Sequence, residues 1–183
     1  MLTNITSALK INGVKAVLTS EDLRDVPLYG LEHPDQPVLA DEVVRYQGEP
    51  VAIVAADHPE NVRLALEAIE IEYELIEPLS DSKFARESEE IHPDGNLIRE
   101  INLNYGDTQE EGQVVVEGTY EVGMQDQAPL GTESGMAVPA DDGGIDLFIS
   151  TQWLHADRDQ VAACLGLPPE KVRLTLAGVG GAF

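Results

Sequence analysis

The chain has 183 residues and a formal net charge of −23 at pH 7, because 34 Asp and Glu outnumber 11 Lys and Arg. Such an excess of carboxylates repels phosphate backbones and disfavours binding to nucleic acid. Apolar residues make up 43% of the sequence, yet no run is long enough for a transmembrane helix, and the N-terminus lacks the residue order of a signal peptide. With the single Cys164 unable to form an internal disulfide, we expect a soluble protein of the cytoplasm.

The first third of the chain alternates between short strands and turns. Gly13–Thr19 predicts a strand, and Ser20 is the expected N-cap of a short helical turn. Residues 25–37 contain Pro, Gly and Asp with little periodicity and predict a loop. Residues 43–56 predict two strands bent at Gln47–Pro50, and the second is apolar on both faces and therefore expected to be buried.

A helix and a strand follow. Asp57-His-Pro-Glu60 predicts the start of the helix, with Asp57 as its cap, and apolar residues then recur at helical spacing. From Ile69 to Leu75 the period changes to two, which predicts a strand with Glu70, Glu72 and Glu74 on one solvated face. Strand, helix and strand together predict a compact α/β unit.

The second half begins with a polar segment, 79–105, that is the expected linker. Alternation at 114–122 and the run 135–139 predict two strands, and Asp141-Asp-Gly-Gly144 predicts a turn into the next strand. A helix is expected from about Leu154 to Leu165, where Gly166 ends it, and Cys164 is expected to be a buried small apolar residue of that helix.

The last forty residues carry the strongest indication of a ligand site. Strand 145–151 ends at Gln152, and strand 171–177 runs into a glycine-rich segment, Gly178–Phe183. Ligands of α/β proteins bind off the carboxyl ends of strands, so these two segments predict one wall of a crevice. The order Gly178-x-Gly180-Gly181 resembles the start of a dinucleotide fingerprint, but Phe183 stands where that motif needs its third glycine.

Other site chemistries receive little support from the residue pattern. His33, His58, His92 and His155 lack the spacing of zinc ligands, and no nucleophile motif of a hydrolase is present. Gln152 itself has two interpretations: spacing alone favours an amide that caps the following helix, and the alternative is an amide that faces a ligand.

Several stretches resemble a known family in both order and spacing. Val43-Val-Arg-Tyr-Gln-Gly-Glu-Pro-Val-Ala-Ile-Val-Ala-Ala-Asp57, with Ile69-Glu-Ile-Glu-Tyr73, is similar to the hammerhead α/β domain of the xanthine dehydrogenase and aldehyde oxidase family. Gly106-Asp107 and Val116-Glu-Gly-Thr-Tyr120 resemble the entry to its molybdopterin-binding domain. Ser150-Thr-Gln152 and Gly180-Gly-Ala-Phe183 resemble the first cofactor-contacting motifs of that domain.

The resemblance implies a molybdenum hydroxylase, which inserts a water-derived oxygen into a purine, another N-heterocycle or an aldehyde. It implies a molybdenum–molybdopterin cofactor, with 2Fe-2S and FAD centres on partner domains or subunits. By position, Gln152 matches a glutamine that hydrogen-bonds an oxygen ligand of molybdenum without ligating the metal directly. Gly180, Gly181, Ala182 and Phe183 match cofactor-contacting positions, and Phe183 also matches an aromatic beside the substrate ring.

Three departures limit what the resemblance implies. Ala182 stands where the family often has glycine, Gln127 lies near a family histidine, and Glu133 is a candidate acid to which, like Gln127, we assign no catalytic role. The family's catalytic glutamate lies far beyond Phe183. We therefore expect a fragment with an incomplete site that is inactive alone.

The expected fold is α/β (α+β). Residues 1–105 are expected to form a hammerhead-like domain, and residues 106–183 the truncated N-terminal part of a molybdopterin-binding domain. Expected partners are the rest of the subunit and the iron–sulfur and flavin domains. Two alternatives stay open: a stand-alone acidic binding or scaffold module, and a small nucleotide-binding enzyme.

Overall fold

A computed structural model of the chain describes residues 2–106, 112–131 and 134–181. The first α/β unit contains two antiparallel strand pairs and one helix. Strand β1 (Leu2–Asn4) pairs with β4 (Glu70–Glu72), and β2 (Val14–Leu18) pairs with β3 (Ile53–Ala56). Helix α1 (Pro59–Glu67) connects β3 to β4. The α/β unit predicted from residues 51–75 is confirmed.

A small core holds this unit together. Ala8, from a short 3-10 helix (Ala8–Lys10), Val17 of β2 and Ala65 of α1 are buried against one another, with half-buried apolar side chains around them. Two of the three side chains are methyl groups, so the helix approaches the strands closely. The apolar area buried per residue is correspondingly modest.

Both predicted helix caps in this unit were displaced by one residue. His58 caps α1, because its Nδ1 accepts from the Glu60 N–H at 3.1 Å, whereas Asp57 accepts from the Asn61 side chain at 2.7 Å. Thr19 caps the 3-10 helix Ser20–Leu23, and the Asp22 carboxylate accepts from the Thr19 N–H at 2.8 Å. His58 and Thr19 both have extended backbone, the conformation of an N-cap residue.

Four strand predictions were wrong, two in whether a strand forms, one in its length and one in its burial. Residues 43–46 form no strand, and β3 is not buried on both faces, since Ile53 is 43% exposed in a sheet of only two strands. Strand β4 stops at Glu72, and Leu75 is 93% exposed. Residues 114–122 form no strand, because no described segment pairs with them.

The second unit is a three-stranded sheet with one helix. Strand β5 (Gly135–Pro139) forms an antiparallel hairpin with β6 (Ile145–Ile149), and β6 lies parallel to β7 (Val172–Leu176). Helix α2 (Leu154–Leu165) makes the crossover that parallel strands require. Its predicted bounds are confirmed, and Gly166 ends it in the left-handed conformation at φ 64°. Ala162 of α2 and Val172 of β7 are both buried.

The polar segment 79–105 contains only a short 3-10 helix, Ala85–Glu87. The loop 25–37 has one isolated bridge, Tyr29 to Gln36, and reaches α2 in the second unit: the Gly30 N–H donates to Gln160 Oε1 at 3.3 Å. Within the described ranges, no helix is long and apolar enough to cross a membrane.

Candidate cofactor-binding cleft

The two segments predicted to form a crevice leave the sheet side by side. Ile149 at the end of β6 is in register with Leu176 at the end of β7. Beyond the strands, the Ala177 N–H donates to the Ile149 carbonyl at 2.7 Å, which extends the parallel ladder by one further bond. Residues 150–152 and 178–181 therefore start from neighbouring strand ends at one edge of the sheet, where ligands of α/β proteins bind.

An open cleft of about 830 Å³ lies at this edge. The end of β6 contributes Ile149 to Gln152, and the glycine-rich segment contributes Val179 and Gly181. The remaining walls come from one face of α2, from residues around the start of β5 and from the loop of the first unit: Asp157, Gln160, Val161, Cys164, Leu165, Gln127, Pro129, Ser134, Gly135, Tyr29 and Val38. A volume of this size falls in the range of small-molecule and cofactor sites.

Gln152 lies in the cleft wall with an exposed side chain that makes no hydrogen bond to any described residue. The interpretation that spacing alone favoured, in which Gln152 caps the following helix, is wrong. Thr151 is the residue whose hydroxyl oxygen accepts from the Trp153 N–H at the start of α2, at 3.1 Å. The amide of Gln152 thus keeps its two donors and its acceptor for a ligand.

Gly180 and Gly181 belong to the glycine-rich segment that follows β7. The Leu130 N–H donates to the Gly180 carbonyl at 3.0 Å, and a Cβ on Gly180 would overlap the backbone of Gly131. The absence of a side chain at Gly180 is therefore explained by contact between two chain segments, and a contact with cofactor there stays a prediction. Gly181 lines the cleft directly. The predicted site residues Ala182 and Phe183 lie outside the described residues, as do Asp107, Thr132 and Glu133.

The described lining of the cleft is close to electrically neutral although the chain carries a net charge of −23. Asp157 is the only carboxylate in that lining. Burial is the main cause that raises the pKa of Tyr29, with the neighbouring Tyr46 adding to it, and burial also raises the pKa of the Cys164 thiol. Both groups therefore stay uncharged at pH 7, and the cleft presents amides, hydroxyls and apolar surface to a ligand.

Cys164 was predicted to be buried, but the structure shows it half-buried. Its Sγ lies 4.0 Å from the Pro27 carbonyl oxygen. The thiol therefore faces the loop of the first unit.

The remaining candidates behave as structural residues. Glu70, Glu72 and Glu74 are exposed, as predicted for a solvated face, and Glu70 accepts from the Asn4 side chain at 2.9 Å. His92 Nδ1 lies 3.0 Å from Asp35 Oδ2. No three His, Cys, Asp or Glu side chains of the described ranges are placed to hold a metal ion.

Two features of the cleft were missed from the sequence. Tyr29 and Val38 lie more than a hundred residues before Gln152 in the sequence. Nothing in their local sequence points to a contact with this cleft. The second is a hydrogen bond in which the Thr151 hydroxyl donates to Asp157 Oδ2. The Thr151 hydroxyl, three residues before the predicted helix, was the available indication, since Ser and Thr accept from the first N–H groups of helices.

Two protein-family models match the chain. Residues 91–183 match the model described as molybdopterin cofactor-binding domain, and residues 2–77 match the aldehyde oxidase and xanthine dehydrogenase a/b hammerhead domain. The chain belongs to the aldehyde oxidase and xanthine dehydrogenase family. The resemblance seen in the sequence is confirmed, because the two models cover the hammerhead-like and molybdopterin-binding stretches in the expected order.

Individual family members support the same assignment. The chain is 38% identical over 181 residues to a probable xanthine dehydrogenase subunit of Bacillus subtilis, covering 96% of this chain and 24% of the relative. It is 35% identical to the nicotinate dehydrogenase large molybdopterin subunit of Eubacterium barkeri, covering 98% of this chain and 44% of that relative. The chain thus spans from about a quarter to less than half of the length of these two relatives.

A solved structure confirms the fold. The aldehyde oxidoreductase of Desulfovibrio gigas superposes with a TM-score of 0.83 at 26% identity, covering 100% of this chain and 22% of the enzyme. The mixed α/β fold predicted from the sequence is therefore the fold of this region in an aldehyde oxidoreductase, and these relatives are oxidoreductases.

Proposed function

We propose that this chain contributes one wall of the molybdenum-cofactor site in an oxidoreductase that hydroxylates a purine, another N-heterocycle or an aldehyde. The observation that carries the proposal is the amide of Gln152. It stands at the carboxyl end of β6, in a cleft of about 830 Å³, and makes no hydrogen bond with the described chain. A polar side chain held at a ligand-binding edge without a partner is suited to contact a bound group.

The residues present fit such a cofactor. A neutral amide donates a hydrogen bond without adding charge to a metal centre. The described lining carries a single carboxylate, and that carboxylate already accepts the Thr151 hydroxyl. The cleft therefore offers an anionic cofactor a weakly charged surface on a strongly acidic protein.

Each residue has a proposed role. Gln152 donates a hydrogen bond toward the molybdenum centre without ligating the metal, and Gly180, Gly181 and Ala182 bring their backbone close to the cofactor. Phe183 contacts the cofactor and packs beside the flat ring of the substrate. When bound, the cofactor supplies the two-electron redox chemistry that places a water-derived oxygen on the substrate carbon.

The remaining components belong to the parent protein in this proposal. The catalytic base, the other cofactor contacts, and the 2Fe-2S and FAD centres lie on further segments, domains or subunits, and the enzyme works in the cytoplasm. We place the boundary between a hammerhead-like domain and the start of a molybdopterin-binding domain near residue 105, after a linker at about 79–105. The isolated 183-residue chain is then inactive, and stoichiometric molybdenum in the purified chain would contradict this part of the proposal.

The exposed segment 114–124 supports the need for further polypeptide. Val116, Tyr120 and Val122 are 87%, 93% and 86% exposed. Exposed apolar surface of this kind marks a contact with another polypeptide. A stand-alone acidic scaffold leaves this surface without an explanation.

The decisive test is Gln152→Ala in the full-length parent enzyme. Loss of a group that hydrogen-bonds a ligand of the metal lowers turnover, so kcat is expected to fall roughly ten- to a hundredfold. Gln113→Ala, which removes an exposed glutamine outside the cleft, is the matched control and is expected to leave kcat unchanged. Unchanged kcat in Gln152→Ala enzyme that carries its molybdenum, measured by elemental analysis, would refute the assignment of Gln152.

A further inference from the structure

Gln152 is enclosed by a chain of two hydrogen bonds that its own side chain does not join. The Trp153 N–H donates to Thr151 Oγ1 at 3.1 Å, and the Thr151 hydroxyl in turn donates to Asp157 Oδ2. The Thr151 hydroxyl thus donates one hydrogen bond and accepts one. The bond that it accepts from the Trp153 N–H joins the two residues on either side of Gln152. Such a local turn fixes the backbone of its central residue.

Both flanks of this turn are anchored. Upstream, β6 is held between β5 and β7, and the ladder continues to the bond between Ala177 and Ile149 at 2.7 Å. Downstream, Asp157 lies in the first turn of α2, where its backbone N–H donates to the Trp153 carbonyl at 2.9 Å. The Thr151–Asp157 bond connects the two anchors directly, so the direction of the Cα–Cβ bond of Gln152 is set by the sheet and by the helix together.

Asp157 also faces the cleft, where it is the only carboxylate of the described lining. A carboxylate beside an anionic cofactor would repel it, so a bond that engages this carboxylate matters for the site. Accepting the Thr151 hydroxyl engages one of its oxygens and spreads the charge of the carboxylate into that bond.

From this geometry we infer that Thr151 and Asp157 are positioning residues that hold the Gln152 amide in the direction of the cofactor. The inference rests on the proposed function of Gln152. Neither residue is required to touch the cofactor or the substrate. Their contribution is to keep the amide donor within the narrow range of geometry that a stabilising hydrogen bond needs, because an error of about 1 Å costs up to about a hundredfold in rate.

The test uses the full-length parent enzyme. Thr151→Val keeps the shape of the side chain and removes both hydrogen bonds, whereas Thr151→Ser keeps the hydroxyl. Asp157→Ala removes the acceptor, and Asp157→Asn keeps an oxygen that accepts the hydroxyl. Asp159→Ala is the matched control on the same helix, because its carboxylate accepts from the neighbouring Arg158, at 2.7 and 2.8 Å, and does not line the cleft.

The expected result is a loss in kcat of about tenfold for Thr151→Val and Asp157→Ala, comparable to the loss that follows removal of the groups that orient metal ligands. Thr151→Ser, Asp157→Asn and Asp159→Ala are expected to stay within about twofold of the unaltered enzyme, the range of ordinary surface changes. In crystal structures of Thr151→Val and Asp157→Ala, the Gln152 side chain is expected to turn away from its original direction, while the molybdenum content is retained.

A double-mutant cycle separates positioning from a purely structural role. If Thr151 acts through Gln152, Thr151→Val costs nothing further in the Gln152→Ala background. Independent losses that multiply, or an unmoved Gln152 side chain in both single variants, would overturn the inference while the proposed function stands. A silent Gln152→Ala variant would overturn the proposed function itself. If Thr151→Val does not fold, Asp157→Ala gives the same comparison with only one bond removed.

Discussion

At the scale of single residues, the contact between Gly131 and Gly180 joins two chain segments whose neighbouring residues line the cleft. The Leu130 N–H donates to the Gly180 carbonyl at 3.0 Å, and the two glycine backbones lie against each other with no room for a Cβ on Gly180. This contact ties the residues that precede β5 to the segment that follows β7, two parts of the chain about fifty residues apart. The glycine-rich segment thus has a packing role in addition to its proposed contact with cofactor.

Gly180→Ala is therefore expected to destabilise the chain by about 1–3 kcal/mol, the usual cost of forcing an extra methyl group into a packed position. The measurement is the free energy of unfolding in urea. Gly178→Ala is the matched control, since a Cβ at Gly178 meets nothing within 4 Å, and its effect is expected to stay within about 0.5 kcal/mol. Equal effects of the two substitutions would show that Gly131 and Gly180 are not in contact in solution.

At the scale of elements, prediction from the sequence succeeded where the determining signals are local. The bounds of α2 follow from apolar spacing and from Gly166, whose left-handed backbone ends the helix. The hairpin of β5 and β6 follows from Asp141–Gly144. The segment 114–122 has the alternation of a strand and forms none, because a strand also needs a neighbour to satisfy its backbone groups.

The hairpin turn carries an ion-pair network that links it to β7. Asp142 Oδ1 accepts from the Gly144 N–H at 2.9 Å, and Asp142 Oδ2 lies 3.0 Å from the Arg173 guanidinium and 3.4 Å from Lys171 Nζ. The Gly144 N–H first, and then Arg173, lower the pKa of Asp142 from its ordinary 3.8 to about 2. The ionised form of Asp142 is therefore preferred in the folded chain.

This lowered pKa predicts a pH dependence of stability. A group with a depressed pKa stabilises the fold above its unfolded value of 3.8 and loses that contribution as the pH falls toward 2. Asp142→Asn is expected to lower the melting temperature at pH 7 and to flatten the dependence between pH 4 and about 2. Asp141→Asn, which removes the adjacent carboxylate without breaking a described contact, is the control. Parallel melting curves for both variants over this range would contradict the assignment.

At the scale of the whole molecule, the cleft shows where sequence reasoning ends. Gln152 and the glycine-rich segment were predicted to face one crevice, because strand order and strand ends are readable from local pattern. Tyr29 and Val38 were not, because they reach the cleft through a contact between segments as distant as Gly30 and Gln160. Contacts across such separations depend on how the two units pack, and local sequence pattern does not predict them.

The apolar surface of residues 114–124 is also a property of the whole molecule. Apolar and polar residues alternate there, with Val116, Tyr120 and Val122 on one set of positions and Glu117, Thr119 and Glu121 on the other. A half-buried strand has this pattern. In the 183-residue chain the apolar set is exposed, and under the proposed function further polypeptide of the parent enzyme covers it.

Replacing Val116, Tyr120 and Val122 together with Ser is expected to act differently in the two contexts. In the 183-residue chain, binding of a dye specific for exposed apolar surface falls, and the free energy of unfolding changes by less than about 0.5 kcal/mol, because nothing buried is lost. In the full-length enzyme the same substitutions lower the melting temperature, since each buried apolar side chain contributes about 1.5–3 kcal/mol. Replacing Glu117 and Glu121 with Gln and Thr119 with Ser is the matched control. A full-length enzyme that tolerates the apolar triple variant as well as it tolerates this control would show that the segment stays uncovered, and would favour an independent acidic module over a part of a larger oxidoreductase.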